Sequence, residues 1–144
     1  VYTKSKLLAT KHCLKTFHKN SFPVTIVRPY LVYGPGQKNN RLIPFIISES
    51  LKNKHFPCST GEQVRNFLFI DDFIRAIFKI LSSKKIDGEI INIGSNENFR
   101  IKRIILMITN YINLGKPMFG KIKLRKDESL TYYPNIKKAK RLIK

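Results

Sequence analysis

The chain of 144 residues has little cysteine, little acid and no tryptophan. Its two cysteines, Cys13 and Cys58, have no metal-ligand pattern around them, which favours reduced thiols over a disulfide framework or a zinc site. No apolar run approaches the roughly 18 to 20 residues of a membrane span, and the polar first residues lack the apolar core of a signal peptide. We therefore expect a cytoplasmic protein with no membrane contact.

The scarcity of acid gives the chain an unusual charge. Its 28 Lys and Arg residues face 9 Asp and Glu residues, for a formal net charge of +19. Such an excess is typical of proteins that bind nucleic acid. The lysines are spread along the whole chain, however, and no helix-turn-helix, zinc-finger or RNA-binding aromatic motif accompanies them. Nucleic acid is therefore disfavoured as the main partner, although a basic surface would still attract phosphorylated ligands.

Hydrophobic periodicity predicts helices that alternate with short apolar strands. The predicted helices span 3–19, 43–51, 101–112 and 136–143, the last being very basic through Lys137, Lys138, Lys140, Arg141 and Lys144. A further helix follows Asp71 and Asp72 and ends near Leu81, and an acid at its start can act as its cap. The predicted strands span 24–27, 67–70, 89–94 and 121–124. This alternation indicates an α/β fold, but no glycine-rich phosphate loop joins a strand to a helix.

Tyr2 and Lys6 form a Tyr-x-x-x-Lys pair at the start of the first predicted helix. Four positions apart on a helix, the two side chains lie on one face. A cation near a phenol favours the phenolate and so lowers the tyrosine pKa from its usual value of about 10. That is the chemistry needed to move a proton on and off a sugar hydroxyl during hydride transfer. The spacing alone is also compatible with a solvated tyrosine and lysine.

Four further segments follow this pair: 27–36, 61–72, 91–95 and 133–139. They read Val-Arg-Pro-Tyr-x-Val-Tyr-Gly-Pro-Gly, Gly-Glu-Gln-Val-Arg-Asn-Phe-Leu-Phe-Ile-Asp-Asp, Ile-Asn-Ile-Gly-Ser and Tyr-Pro-Asn-Ile-x-Lys-Ala. Together with the Tyr-x-x-x-Lys pair, and in this order, they resemble the extended short-chain dehydrogenase/reductase family, specifically its NAD-dependent nucleotide-sugar epimerases and dehydratases. The resemblance covers nearly the whole chain.

The resemblance implies the carboxyl-terminal part of a Rossmann-like doubly wound sheet plus a smaller substrate-binding region. Residues 1–35 would end the Rossmann part, and residues 36–144 would be mostly substrate-binding region, with Rossmann elements returning near 67–94. Family members begin with a glycine-rich NAD loop and a catalytic Ser or Thr, neither of which this sequence contains. We therefore expect a fragment of a longer enzyme that is inactive alone, is completed by an amino-terminal half and is homodimeric at full length.

Four residues are implied at the cofactor, which would be NAD or NADP. Tyr2 would be the general acid/base at the sugar C4 hydroxyl, and Lys6 would hold the nicotinamide ribose and depress the Tyr2 pKa. Pro29 and Tyr30 would face the nicotinamide, because ligands of such sheets sit beyond the carboxyl ends of the strands. Arg28 beside them could instead be a structural ion-pair partner and is given no catalytic role.

The substrate residues implied by the resemblance are Arg41, Leu42, Pro57, Arg65, Asn92 and Arg125. Arg65 is the strongest of them, because a guanidinium can grip a diphosphate through two parallel hydrogen bonds. Asn92 could reach the substrate or only satisfy local backbone groups. The sequence departs from the family after Arg125, where residues 126–128 are Lys-Asp-Glu and relatives often have Pro-Gly-His.

The expected activity is that of a nucleotide-sugar 4-epimerase, 4,6-dehydratase or 4-reductase in surface polysaccharide synthesis. The substrate would be a UDP-, CDP-, GDP- or dTDP-linked hexose, and the enzyme would be an isomerase, a lyase or an oxidoreductase. The sequence leaves these reactions, and decarboxylation, open. The alternative is a catalytically inactive basic module that binds a nucleotide or nucleic acid.

Overall fold

A computed structural model describes residues 1–83 and 86–143. Lys144, one of the residues that make the last predicted helix basic, lies outside the described residues. The helices within the described ranges are α1 (Tyr2–Asn20), α2 (Leu42–Leu51), α3 (Ile70–Leu81), α4 (Ile101–Ile112) and α5 (Lys137–Leu142). In these ranges no helix is both long enough and apolar enough to cross a membrane.

Short strands, most of them in parallel pairs, connect these helices. They are β1 (Ile26–Pro29), β2 (Leu31–Tyr33), β3 (His55–Pro57), β4 (Val64–Phe69), β5 (Ile90–Ile93), β6 (Asn98–Arg100), β7 (Lys116–Met118) and β8 (Thr131–Tyr132). β1 pairs with β5, β3 pairs with β7, and β4 pairs with both β2 and β8, all in parallel. β6 runs antiparallel to β4. The predicted α/β class is confirmed.

β4 lies between two hydrophobic cores. Phe67 belongs to a core formed with Ile46, Phe56, Cys58, Ile101 and Ile105. The next residue, Leu68, belongs to a second core formed with Ile80, Ile86, Ile91, Ile93 and Ala139. Successive side chains of a strand point to opposite faces, so adjacent residues of one strand serve separate cores. β4 thereby contributes side chains to both cores and holds them next to each other.

Asn66, also on β4, ties this strand to the loop that precedes β6. It is 1% exposed, and its side-chain nitrogen donates to the backbone oxygens of Ser95 at 3.0 Å and Glu97 at 2.9 Å and to Asn98 Oδ1 at 2.8 Å. Its Oδ1 accepts the Ser95 N–H at 2.8 Å. Because a buried amide costs free energy unless its groups are paired, this set of bonds fixes both the Asn66 rotamer and the loop.

Four of the predicted helices are confirmed to within one residue of their ends, whereas α3 begins at Ile70, before the two acids that it was expected to follow. The strands are less accurate, and the strand predicted at 67–70 spans Val64–Phe69 instead. The strand predicted at 24–27 begins two residues later, at Ile26. The strand predicted at 121–124 is wrong, because β7 instead spans Lys116–Met118, directly after Gly115, where it pairs with β3. The strands β2, β3, β6 and β8 have two or three residues each, which is too short for a period-two pattern to stand out.

The prediction that Asp71 or Asp72 caps α3 is also wrong. α3 begins one residue after Phe69, its N-cap, and makes no side-chain cap hydrogen bond. Asp71 and Asp72 lie inside the first turn, where their charges complement the positive end of the helix dipole. Asp72 pairs with Arg75, three residues further along the helix.

Candidate active site

A cavity of about 510 Å³ lies between β2, β4, the loop before α2 and the segment that contains Arg125. Four of the six predicted substrate residues line it: Arg41, Leu42, Arg65 and Arg125. These residues come from three regions of the sequence that only the fold brings together. The expected grouping of arginines around one ligand-sized space is therefore present.

Local structure explains how these side chains reach the cavity. Arg41 is the N-cap of α2 and has an extended backbone, so it stands just outside the helix that Leu42 begins. Arg65 and Phe67 are two apart on β4 and so share one face of the strand. Both line the cavity, with Leu31 of the neighbouring strand paired to Phe67.

Arg65 is held in place by a set of protein acceptors. Its guanidinium donates to the backbone oxygens of Val64 at 2.9 Å, Ser129 at 2.8 Å and Leu130 at 3.4 Å. Its Nη2 also lies 2.5 Å from Glu128 Oε1. The side chain is 11% exposed, so this guanidinium is fixed by its neighbours and presents only a small part of itself to the cavity.

Neutral polar groups complete the lining of the cavity. Gln63 is 7% exposed, its Nε2 donates weakly to Ser59 Oγ at 3.5 Å, and its Oε1 has no partner within the described residues. Gln37 donates to the backbone oxygen of Val32 at 3.0 Å. Arginines beside the unpaired Gln63 Oε1 and the Ser59 hydroxyl suit a ligand that combines anionic and hydroxyl-bearing parts.

Two predicted substrate residues lie elsewhere. Pro57 is exposed at the end of β3 and does not line the cavity. Asn92 is paired with Arg28 across β5 and β1. It lines a second cavity of about 530 Å³, whose other lining residues are Arg28, Ile90, Asn135, Lys137, Lys138 and Arg141. The structure therefore separates Asn92 from the cavity that contains Arg65.

Tyr2 and Lys6 lie one turn apart on α1, as their spacing predicts. The Lys6 ammonium is 5.5 Å from the centroid of the Tyr2 ring, and both side chains are exposed. α1 has no buried residue. Near its other end, the Phe17 ring packs so closely on Gly88 that a Cβ there would lie 2.3 Å from a ring carbon. The helix thus presents the pair on an open face.

Pro29 and Tyr30 follow one another at the carboxyl end of β1. Pro29 is exposed, whereas Tyr30 is half-buried and its N–H donates to the backbone oxygen of Ile93 at 3.0 Å. The Tyr30 ring stacks on Tyr132 with 5.0 Å between centroids. Burial raises the pKa of Tyr30 above its usual value, Tyr132 raises it further, and Arg28 opposes the shift. Tyr30 is therefore a neutral phenol with a fixed ring.

Glu128 and Tyr132 are the contacts that sequence reasoning missed. Glu128 holds Arg65, and Tyr132, four residues later, stacks on Tyr30. One short segment, 125–132, thus contacts both the cavity and the predicted cofactor residue. No local pattern signals a pairing between residues so far apart in sequence. Gln63 could have been found, because it lies in the same motif as Arg65 and a buried amide needs partners.

In the described ranges, no three His, Cys, Asp or Glu side chains are grouped so that they could hold a metal ion. Cys13 and Cys58 are free thiols, as expected. Burial raises the pKa of Cys58, which keeps this thiol protonated and unreactive.

Comparison with known proteins adds a consistent set of relatives. A sequence profile described as the NAD dependent epimerase/dehydratase family matches residues 1–94. An uncharacterised UDP-glucose epimerase of Bacillus subtilis is 29% identical, over 99% of this chain and 45% of that protein. CDP-abequose synthase of Salmonella typhimurium is 30% identical, over 86% of this chain and 44% of that protein.

A solved structure agrees in fold as well as in sequence. UDP-glucuronic acid 4-epimerase from Bacillus cereus, in complex with UDP-glucuronic acid and NAD, matches with a TM-score of 0.80 and 34% identity. The match covers 92% of this chain and 43% of that one. The chain therefore spans less than half the length of these relatives.

The stacked Tyr30 gives a prediction that needs no substrate. Among the six tyrosines, Tyr30 should ionise late, above the usual pKa of about 10, because its burial disfavours the phenolate. Since its folded pKa is raised, the stability that it contributes is complete below about pH 10 and is lost as the pH rises through the folded pKa. An absorbance titration of phenolate in Tyr30→Phe should lack this late phase.

The matched control for that titration is Tyr111→Phe, because the Tyr111 side chain is 93% exposed. The control should lose one phenol and keep the late phase. A late phase that persists in Tyr30→Phe would show that the Tyr30–Tyr132 stack does not bury the phenol.

Proposed function

The chain belongs to the NAD-dependent epimerase/dehydratase family, and on that premise we propose that it contributes the substrate-binding half of an enzyme acting on nucleoside-diphosphate sugars. The enzyme would use NAD, with NADP as the open alternative, for hydride transfer at C4 of the sugar. The relatives named above act on UDP-linked sugars or are named for a CDP-linked product, which supports this substrate class. Epimerisation, dehydration and reduction remain alternatives within the proposal.

The observation that carries the proposal is the cavity shared by Arg41, Leu42, Arg65 and Arg125. Three guanidiniums around about 510 Å³ can hold two phosphate groups through charge-assisted hydrogen bonds. The amides of Gln63 and its neighbours can accept or donate to hydroxyls and to a base. We propose that the diphosphate binds between the arginines, with Glu128 giving up part of its contact to Arg65.

Tyr2 and Lys6 are proposed as the proton-transfer pair. NAD, when bound, supplies hydride acceptance and return. The Tyr2 phenolate would take the C4 hydroxyl proton as the hydride leaves and would give it back as the hydride returns. Lys6 makes no ion pair with any described residue, so its three N–H groups are available to ribose hydroxyls.

Tyr30 and Pro29 are proposed to flank the nicotinamide at the end of β1. The Tyr30 ring, fixed by Tyr132, would offer a flat neutral surface there. The glycine-rich loop for the pyrophosphate would come from an amino-terminal half, and the division near residue 35 stays a prediction. Homodimer formation, a cytoplasmic location and inactivity of the 144-residue chain alone are likewise parts of the proposal.

Arg125 offers the clearest test of the substrate class. It is exposed and forms no ion pair in the described ranges, whereas removing Arg65 would also leave Glu128 without its ion-pair partner and remove one hydrogen bond from each of three backbone oxygens. In the full-length enzyme, Arg125→Ala should raise KM for the nucleotide sugar roughly ten- to a hundredfold and change kcat less, because a diphosphate contact exists before the transition state too.

The matched control for this experiment is Lys126→Ala, which removes the same charge from the next residue outside the cavity. Lys126→Ala should change KM less than about twofold, because the Lys126 charge lies outside the cavity and can act on the ligand only through solvent, which screens it. Equal effects of the two variants, or a loss of NAD affinity in Arg125→Ala, would contradict the diphosphate site.

Tyr2→Phe tests the proposed chemistry separately from binding. The change removes only the hydroxyl, so kcat should fall about 10²- to 10⁴-fold with NAD affinity nearly unchanged. Tyr111→Phe serves as the control and should keep full activity. Steady-state kinetics with a nucleotide sugar measure both, and near-normal turnover in Tyr2→Phe would show that another group moves the proton.

A further inference from the structure

The cavity lined by Arg41, Arg65 and Arg125 is also lined by a carboxylate, that of Glu128. Glu128 Oε1 lies 2.5 Å from Arg65 Nη2, and both side chains line the cavity. Glu128 is 29% exposed and Arg65 is 11% exposed, so the pair is poorly solvated and its charges are only partly screened by water. A phosphate that approaches Arg65 therefore meets a negative charge already in position.

The charges of the lining can be counted. Arg41, Arg65 and Arg125 are positive and Glu128 is negative, and the remaining lining residues are neutral, so three minus one gives a formal charge of +2. A nucleoside-diphosphate sugar is a diphosphate diester with two negative charges. A free nucleoside diphosphate has a terminal phosphate with a second pKa of about 6, so its charge is about −3 near neutral pH.

We propose that Glu128 is a specificity-determining residue: it is the resident counter-ion of Arg65 and sets the cavity to favour a doubly charged diphosphate diester over a free nucleoside diphosphate. The extra charge of the free nucleotide would be repelled by Glu128, and this repulsion is only partly screened because the Arg65–Glu128 pair is poorly exposed to water. The inference rests on the proposed function. Glu128 is the last of the three residues, 126–128, at which this sequence departs from the Pro-Gly-His that relatives often have. The proposal gives this departure a physical role.

Glu128 and a bound phosphate would compete for Arg65, and the contacts of Arg65 show why. Three further Arg65 N–H groups donate to the backbone oxygens of Val64, Ser129 and Leu130. The Glu128 carboxylate is the one charged acceptor among these contacts. Replacing it with an amide of the same shape removes the charge and keeps an oxygen for Arg65.

The test measures affinities of the full-length protein by calorimetry. Kd is determined for UDP, CDP, GDP and dTDP, and for the glucose ester of each, with the unmodified protein, Glu128→Gln and Asp127→Asn. Glu128→Gln should lower Kd about 30-fold for the free diphosphate and about tenfold for the sugar ester, which shifts their ratio about threefold. Glu128→Ala should act in the same direction, which guards against a folding defect specific to one variant.

Asp127→Asn is the matched control, because it removes the same charge from the adjacent, exposed residue, which does not line the cavity. It should leave the ratio of the two Kd values unchanged. An equal ratio shift in Asp127→Asn would mean that net charge alone is responsible, and this would overturn the role of Glu128. Weaker binding in both Glu128 variants would also overturn it, because Glu128 would then serve only to orient Arg65.

Arg125→Ala distinguishes failure of this inference from failure of the proposed function. If Arg125→Ala weakens binding of any of the four glucose esters while the Glu128 variants do not change the ratio, the counter-ion role is wrong and the substrate class stands. If no variant of either residue changes the affinity for any nucleoside diphosphate or glucose ester in the panel, the cavity is not their site and both proposals are wrong.

Discussion

The alternation of side chains along β4 is the constraint on which the rest of the structure depends. Within four successive residues, Arg65 faces the cavity, Asn66 holds the 95–98 loop, Phe67 enters one core and Leu68 enters the other. A slip of one residue would exchange the faces of all four. The bonds of the buried Asn66 oppose such a slip, because the shifted register would take these partners away from its amide and from the Ser95 N–H and C=O groups.

The 125–132 segment extends this constraint to the predicted cofactor side. β8 pairs with β4 next to Arg65, so the same strand that positions the guanidinium also positions the segment that neutralises it. Tyr132 then places a ring against Tyr30 at the end of β1. The residues proposed for the substrate and the cofactor thus share one scaffold, and the stacking of the two uncharged rings fixes the chain just after β1.

The sequence predicted the parts whose signals are local and strong. Helices such as α4 show an amphipathic pattern over 12 residues. The Tyr2–Lys6 pair needs only one helical turn to come together. The motif around Arg65 correctly identified a cavity residue. Glu128 could not be found in this way, because its pairing with Arg65 depends on β8 lying beside β4. The strand expected at 121–124 failed for a similar reason, since β7 is defined by its partner β3 rather than by its own pattern.

The most direct measurement of the central claim is a structure of the full-length protein with NAD and the tightest-binding member of a panel of UDP-, CDP-, GDP- and dTDP-glucose. The account predicts diphosphate oxygens within about 2.7 to 3.2 Å of the Arg125 and Arg65 guanidiniums. It also predicts the sugar C4 hydroxyl beside the Tyr2 phenol. A diphosphate bound instead in the second basic cavity, between Arg28 and α5, would contradict it.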